Sequence, residues 1–269
     1  MLFVYSTEDP VSLGAAERLK RMLGMEHDKE IEGNMHFSDG VGTQMLELRS
    51  HLVHAEDLDC MIKANFVVFL SRHRSANGVT SFTVHSEGNW SAKAELGGKP
   101  KELGVAAPVQ MLRFLRAIKD AGAKAASEVP VVYEATHHGP LLKTPSFFAE
   151  LGGNEEAMNS GLLQAVLAEA AASFARPPDD APYYSKVVMH IGGMHYSAKA
   201  TKLALERGYA FAHIMPKYYV DEIDMIGQAF SRSDRAPEIA LIEWKSINAD
   251  KRNKIINRLE ELGIDYERA

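Results

Sequence analysis

The chain has 269 residues, 46% hydrophobic and 25% charged, enough for one large domain, and no apolar run approaches the ~20 residues a membrane-spanning helix needs. Its formal net charge of −6 argues against a protein that coats nucleic acid non-specifically, yet permits an enzyme that meets a polyanion through a local basic patch. The single cysteine, Cys60, excludes an internal disulfide framework and a zinc site built mainly on thiolates, so a metal here would rest on His, Asp or Glu.

The first residues, Met1 to Ser6, lack a basic n-region and read as a strand rather than a signal peptide. Asp9-Pro10 opens a helix whose apolar face carries Val11, Leu13, Ala16, Leu19 and Leu23, and Gly24 stops it. From His27 to Asp59 the pattern is irregular; Met45 to Arg49 alternates like an exposed strand, in a hairpin with Leu52-Val53-His54. Strands follow at Asn65–Leu70 and Ser81–His85, and Glu87–Gly104 reads as a long surface loop. The second half is more regular. A helix opens at Pro108, a strand spans Val129–Tyr133, and a helix runs from about Asn154 to Ala175. Arg176 to Pro182 has linker-like composition and reads as a surface loop. Next come a strand at Val187–Ile191, a helix from Ser197 to Gly208, a strand at 210–214, a helix at 220–230, a strand at Glu238–Trp244 and a last helix ending at Gly263. Strands alternating with amphipathic helices predict an α/β fold: a mostly parallel central sheet with helices on both faces, in one domain over 1–269.

Several histidines fall where an apolar strand gives way to a polar turn. In an open α/β sheet such strand ends share an edge, and imidazoles delivered there from separate strands converge as a metal or acid–base site. Glu134-Ala135-Thr136-His137-His138-Gly139-Pro140 packs a carboxylate, a hydroxyl and two imidazoles behind one strand. The alternative there is a polar turn satisfying its own backbone. Gly192-Gly193-Met194-His195-Tyr196 joins strand to helix through paired glycines whose amides suit a phosphate or carboxylate, although glycines also make such turns for steric reasons alone. Ser71-Arg72-His73-Arg74 sets two guanidinium groups around an imidazole, and His213 and Lys217 add another imidazole and a cation near Tyr218-Tyr219. His190 lies within its strand and reads as a core histidine, while His27, His36, His51 and His54 have no partner spacing. Metalloprotease, nucleophile-elbow and P-loop motifs are absent from the sequence.

Taken together, Leu70-Ser71-Arg72-His73, Thr83-Val84-His85 with Gly88-Asn89-Trp90, Glu134 to Pro140, Gly192 to Tyr196, His213 with Pro216-Lys217-Tyr218, and Ala240 to Lys245 resemble the archaeal and plant type of D-aminoacyl-tRNA deacylase. They span most of the chain. The resemblance implies hydrolysis of the ester joining a D-amino acid to the 3′ end of tRNA, with zinc as cofactor. It further implies a cytoplasmic monomer that meets neither DNA nor membrane, with a core like those of nucleoside phosphorylases and peptidyl-tRNA hydrolases. On this reading Glu134 (the base), His138 and His85 are the catalytic candidates, and His73, His137 and His195 the metal candidates. Arg72, Arg74, Lys143, Gly192, Gly193, His213 and Lys217 are the expected substrate contacts, with the cations on the terminal phosphates. Discrimination against L-amino acids would be steric. A metal-free variant, with a histidine base assisted by the tRNA 2′-hydroxyl, stays open. Two rivals also remain: a metal-dependent hydrolase or phosphorylase of a small molecule, and a non-catalytic RNA-binding module.

Overall fold

The computed structural model describes residues 1–73, 78–176 and 184–269. In chain order the first half contains β1 (Leu2–Ser6), α1 (Pro10–Leu23), β2 (Glu26–Ile31), β3 (Asn34–Ser38), β4 (Gln44–Leu48), α2 (Leu58–Met61), β5 (Val67–His73) and β6 (Ser81–His85). Then follow β7 (Gly88–Asn89), β8 (Glu102–Leu103), α3 (Pro108–Lys124), β9 (Val131–Tyr133), β10 (Ser146–Gly152), α4 (Glu155–Met158) and α5 (Gly161–Ala175). The remainder is β11 (Lys186–Ile191), α6 (Ala198–Arg207), β12 (Tyr209–Met215), α7 (Ile226–Ser231), β13 (Ile239–Ile242), α8 (Ala249–Glu261) and β14 (Tyr266–Arg268). No helix among the described residues is long and apolar enough to cross a membrane.

The α/β reading holds, but the strands divide into two main sheets. One has eight strands in the order β2-β3-β4-β1-β5-β10-β6-β9, and the other has four in the order β12-β11-β13-β14, all parallel. In the large sheet β4, β1, β5 and β10 run parallel, whereas β6 is antiparallel to β10 and carries β9 with it. The expected common edge of strand ends is therefore absent: β6 and β9 finish in the direction opposite to β5 and β10.

Helices α1, α3 and α5 cover one face of the large sheet, burying Val11, Leu19, Met111, Leu115, Leu167 and Phe174 against Phe3, Val68 and Phe147. Asp9 caps α1 by accepting from the amides of Val11 and Ser12, and Gly24 closes it at φ 65, as the sequence predicts. The opposite face is covered more thinly, by Leu52 and Leu58 with Leu142 over Leu2, Val4, Phe69 and Phe148. Both α3 and α6 also touch β12, so one apolar cluster runs from the large sheet into Val188 and Phe211 of the small one. The far side of the small sheet packs on α7 and α8 through Ile226, Ile255 and Leu259.

Other sequence expectations are corrected. Residues 52–54 form a 3-10 turn, and β4 pairs instead with β3 and β1, with Met45, Leu46 and Leu48 buried rather than exposed. The helix expected over 154–175 breaks at Asn159-Ser160, because Ser160 caps a new start at Gly161. Within the expected loop at 87–104, β7 and β8 pair and bury Trp90 and Leu103. The linker-like segment lies outside the described residues beyond Arg176.

Candidate active site

β10 is the strand around which the site is built. All seven of its residues, Ser146 to Gly152, are buried. Phe148 pairs with His85, Glu150 with Ser71 and Thr83, and Gly152 with His73, so these residues share the thinly covered face of the sheet. Glu150 is thereby seated between two imidazoles, 3.3 Å from His73 Nδ1 and 3.5 Å from His85 Nε2. The close approach of β5 favours Gly152, since a Cβ there would crowd the His73 side chain at 3.0 Å.

The second carboxylate arrives from the chain leaving β9. Glu134 bridges to Tyr196, Ala135 N donates to His195 O, and Thr136 N donates to Ile214 O, so this segment stitches the large sheet to the small one. Glu134 Oε2 lies 3.1 Å from His195 Nε2 and 3.6 Å from His137 Nε2, while its Oε1 is 3.3 Å from His73 Nδ1. Tyr196 hydroxyl is hydrogen-bonded to His73 Nε2 at 2.8 Å, and Tyr218 hydroxyl to His195 Nδ1 at 3.1 Å. Two buried carboxylates thus organise four imidazoles, with His138 beside them.

Their charges differ sharply. Burial works against protonating His85, but Glu150 more than reverses this and lifts the imidazole to about 9; the same balance raises His73. Burial would raise Glu150, yet the hydrogen bonds and charges of these two imidazoles hold its carboxyl well below the usual range. His137 and His138 go the other way. Burial and then the neighbouring His85 charge push His138 down to about 3 and His137 well below its ordinary value, so both are neutral near pH 7.

The donor set suits a metal. His85, His137 and His138 can place one ring nitrogen each within 4.8 Å of one another. Each has its Nδ1 directed at a main-chain carbonyl, of Ser86, Ala135 and Gly139 respectively, which leaves Nε2 as the nitrogen available to a ligand. Nε2 of His85 is buried with only the Glu150 carboxylate beside it, 3.5 Å away, and Oε1 of Glu134 with only His73 Nδ1, 3.3 Å away. Three imidazoles converging in this way, with His85 giving up its proton, are a donor set that suits zinc. This grouping departs from the sequence expectation of His73, His137 and His195 as ligands. Instead, His73 and His195 group with Glu134, and His85 and His138, expected to act in catalysis, group with His137.

A cavity of about 390 Å³ opens on this cluster, bordered by Asp9, Arg72, His73, His138, Glu150 and His195. Arg72 is held there because its amide donates to Asp9 Oδ2 at 2.7 Å. A second cavity, of about 220 Å³, lies against His137 and His138 and is bordered by Trp90, Leu96 and Tyr219.

Several expected substrate contacts are not part of this site. His213 is fully buried between the sheets, with Nδ1 3.2 Å from both Ser86 and Thr136 hydroxyls and Nε2 2.9 Å from Arg232 O. The amides of Gly192 and Gly193 are taken by Met215 O and Ser246 Oγ, and a Cβ on Gly193 would meet Glu243 Oε2 at 2.5 Å, so this turn receives a carboxylate of its own chain rather than a phosphate. Lys143 and Lys217 are exposed and border neither cavity, and Arg74 lies outside the described residues. Sequence reasoning missed Glu150, whose one signal is a lone acid in an otherwise apolar segment, gave Tyr196 no role of its own, and read Asp9 only as a helix cap.

Comparison with known proteins supplies the family. A family model described as D-aminoacyl-tRNA deacylase matches residues 60–267. A curated D-aminoacyl-tRNA deacylase from Ignicoccus hospitalis is 38% identical over 267 residues, covering 97% of this chain and 96% of the relative. Its counterpart from Pyrococcus furiosus is 33% identical, covering 96% of each. A crystal structure described as a conserved protein of unknown function superposes with a TM-score of 0.88 at 26% identity, covering 99% of this chain and 94% of that one. On a match that spans both sheets and every residue of the carboxylate–imidazole cluster, the chain belongs to the D-aminoacyl-tRNA deacylase family.

Proposed function

We propose that the protein hydrolyses the ester joining a D-amino acid to the 3′ end of tRNA, releasing free amino acid and tRNA. The observation that carries this is the cluster itself: two buried carboxylates set among cationic and neutral imidazoles at a cavity floor, in a chain of this family. Ester hydrolysis adds water to the carbonyl carbon and expels the ribose oxygen, so it needs a base, a stabiliser for the developing oxyanion and a proton for the leaving group.

Glu134 is the proposed base, since its Oε1 has only His73 Nδ1 beside it and its Oε2 is held by His195. It takes the proton of the attacking water and, with His195, returns it to the departing ribose oxygen. His73 borders the cavity, and the Glu150 carboxylate favours its cationic form, so it sets positive charge against the oxyanion. Arg72 meets a terminal phosphate at the cavity rim. His85, His137 and His138 would hold a zinc ion, which as a Lewis acid lowers the pKa of water and polarises a carbonyl. The enzyme is further proposed to act as a cytoplasmic monomer without DNA or membrane partners.

Single-turnover deacylation of D-Tyr-tRNA and L-Tyr-tRNA, with zinc content measured on the same preparation, tests the reading. Fast loss of the D-ester alone is expected. Equal rates on both esters, or better turnover of free amino-acid esters than of tRNA esters, would return the small-molecule hydrolase to first place.

A further inference from the structure

An ester has two limbs, and the imidazoles His137 and His138 border two cavities rather than one. The larger, of about 390 Å³, carries the Arg72 guanidinium, the Asp9 carboxylate and the imidazoles of His51 and His54, beside Leu52 and Val53. The smaller, of about 220 Å³, sets Trp90, Tyr219 and Leu96 beside Asn89 and Thr136, and has no arginine. Trp90 is fixed there by donating Nε1–H to Thr136 O at 2.9 Å, beside the catalytic turn. Tyr219 packs its ring 4.8 Å from that of Tyr218, whose hydroxyl holds His195.

Leu96 borders both cavities, and its side chain is 58% exposed although its backbone is pinned. Gly139 N donates to Leu96 O at 2.9 Å, and Gly98 N donates to Glu56 Oε1 at 2.8 Å. At Gly97 a Cβ would fall 1.7 Å from Val53 O, so only glycine lets this loop lie so close to the 3-10 turn. A pinned loop that presents one exposed leucine at the junction of two cavities has the form of a specificity element.

We propose that the two cavities divide the substrate: the terminal nucleotide occupies the Arg72 side, and the amino-acid side chain occupies the Trp90–Tyr219 side, with Leu96 and Tyr219 setting which side chains enter. This rests on the deacylase reading above. The Tyr219 ring, with the buried Trp90 behind it, favours flat, apolar groups over phosphate, which needs the cation available at Arg72. Lys93 and Glu95 at the mouth of the smaller cavity carry opposite charges and offer a nucleotide no net attraction.

Glu95 is exposed, so Glu95→Trp fills the smaller cavity from its mouth without touching the core. Single-turnover kcat/KM would be measured on D-Tyr-tRNA and D-Ala-tRNA, with thermal melts confirming the fold. The expected result is a D-Tyr to D-Ala ratio lowered about tenfold or more, the scale at which a pocket discriminates side-chain size. Tyr219→Ala is expected to raise the relative rate on D-Trp-tRNA, and His51→Trp, in the larger cavity, to slow D-Tyr and D-Ala esters alike. Equal slowing of both esters by Glu95→Trp would place the nucleotide limb in the smaller cavity and overturn the assignment. No change in either ester would overturn it as well, since the cavity would then hold neither limb. Wild-type protein inactive on both esters would refute the deacylase reading itself, which the ratio in an active enzyme does not touch.

Discussion

Glu134 Oε2 and His195 Nε2 are 3.1 Å apart, and this contact joins the chain leaving β9 to the turn that opens α6. It closes the reaction centre across the seam between the two sheets. The same carboxylate faces His73 from the large sheet, so its other oxygen lies at the point where both halves meet.

Glu134→Gln keeps the shape and removes the base. Stopped-assay rates on D-Tyr-tRNA are expected to fall by about 10²–10⁴ in kcat, the usual worth of a general base, with KM little changed. A variant that retained full kcat would move the base elsewhere in the cluster.

Zinc removal is expected to abolish turnover. Dialysis against a strong chelator followed by metal analysis and assay checks this, and His137→Ala should lose metal and rate together because it deletes one of three converging ring nitrogens. Full activity in metal-free enzyme would leave the imidazoles and the tRNA 2′-hydroxyl to do the chemistry.

His190 is wholly buried, its Nδ1 has no hydrogen-bond partner and its Nε2 lies 3.5 Å from Glu243 Oε2, and burial with the nearby Lys199 charge pushes it down to about 4. The unfolded chain binds a proton there at an ordinary value near 6.5, so this residue costs stability increasingly as pH falls from about 6.5 toward 4. His190→Leu is therefore expected to stabilise by about 1 kcal/mol near pH 7, from the unsatisfied Nδ1, and by more at pH 5. Thermal melts at the two pH values measure it; a gain that did not grow at pH 5 would contradict the protonation argument.

Gly193→Ala tests whether the glycine turn binds phosphate. Gly193 has φ +76, so alanine is expected to cost about 1–2 kcal/mol of stability while KM for D-Tyr-tRNA stays unchanged. A raised KM with unchanged stability would restore the turn as a substrate contact.

The histidine-bearing segments were legible because each follows an apolar run and two imidazoles in a turn, as at His137-His138, have little packing value. Glu150 was not. Buried on both faces, Ser146 to Gly152 carries no alternation to mark it as a strand, and the acid at its centre has meaning only once β5 and β6 lie alongside. The direction of β6 was equally hidden, because a period of two reports a face and not which way the strand runs. Gly192-Gly193 misled for a related reason: tight turns and anion cradles use the same residues, and only the approach of Glu243 and Ser246 separates them.

The bridge from Glu134 to Tyr196 and the hydrogen bond from Ala135 to His195 also give the chain a timetable. A growing polypeptide that has already made β5, β6, β9 and β10 still lacks the imidazole and the phenol that complete the reaction centre. Contacts spanning more than fifty residues close last and slowly, so catalytic competence should emerge only when synthesis has passed α6 and the second sheet has docked. Turnover is in that sense a certificate of finished folding, one that no amino-terminal fragment can present.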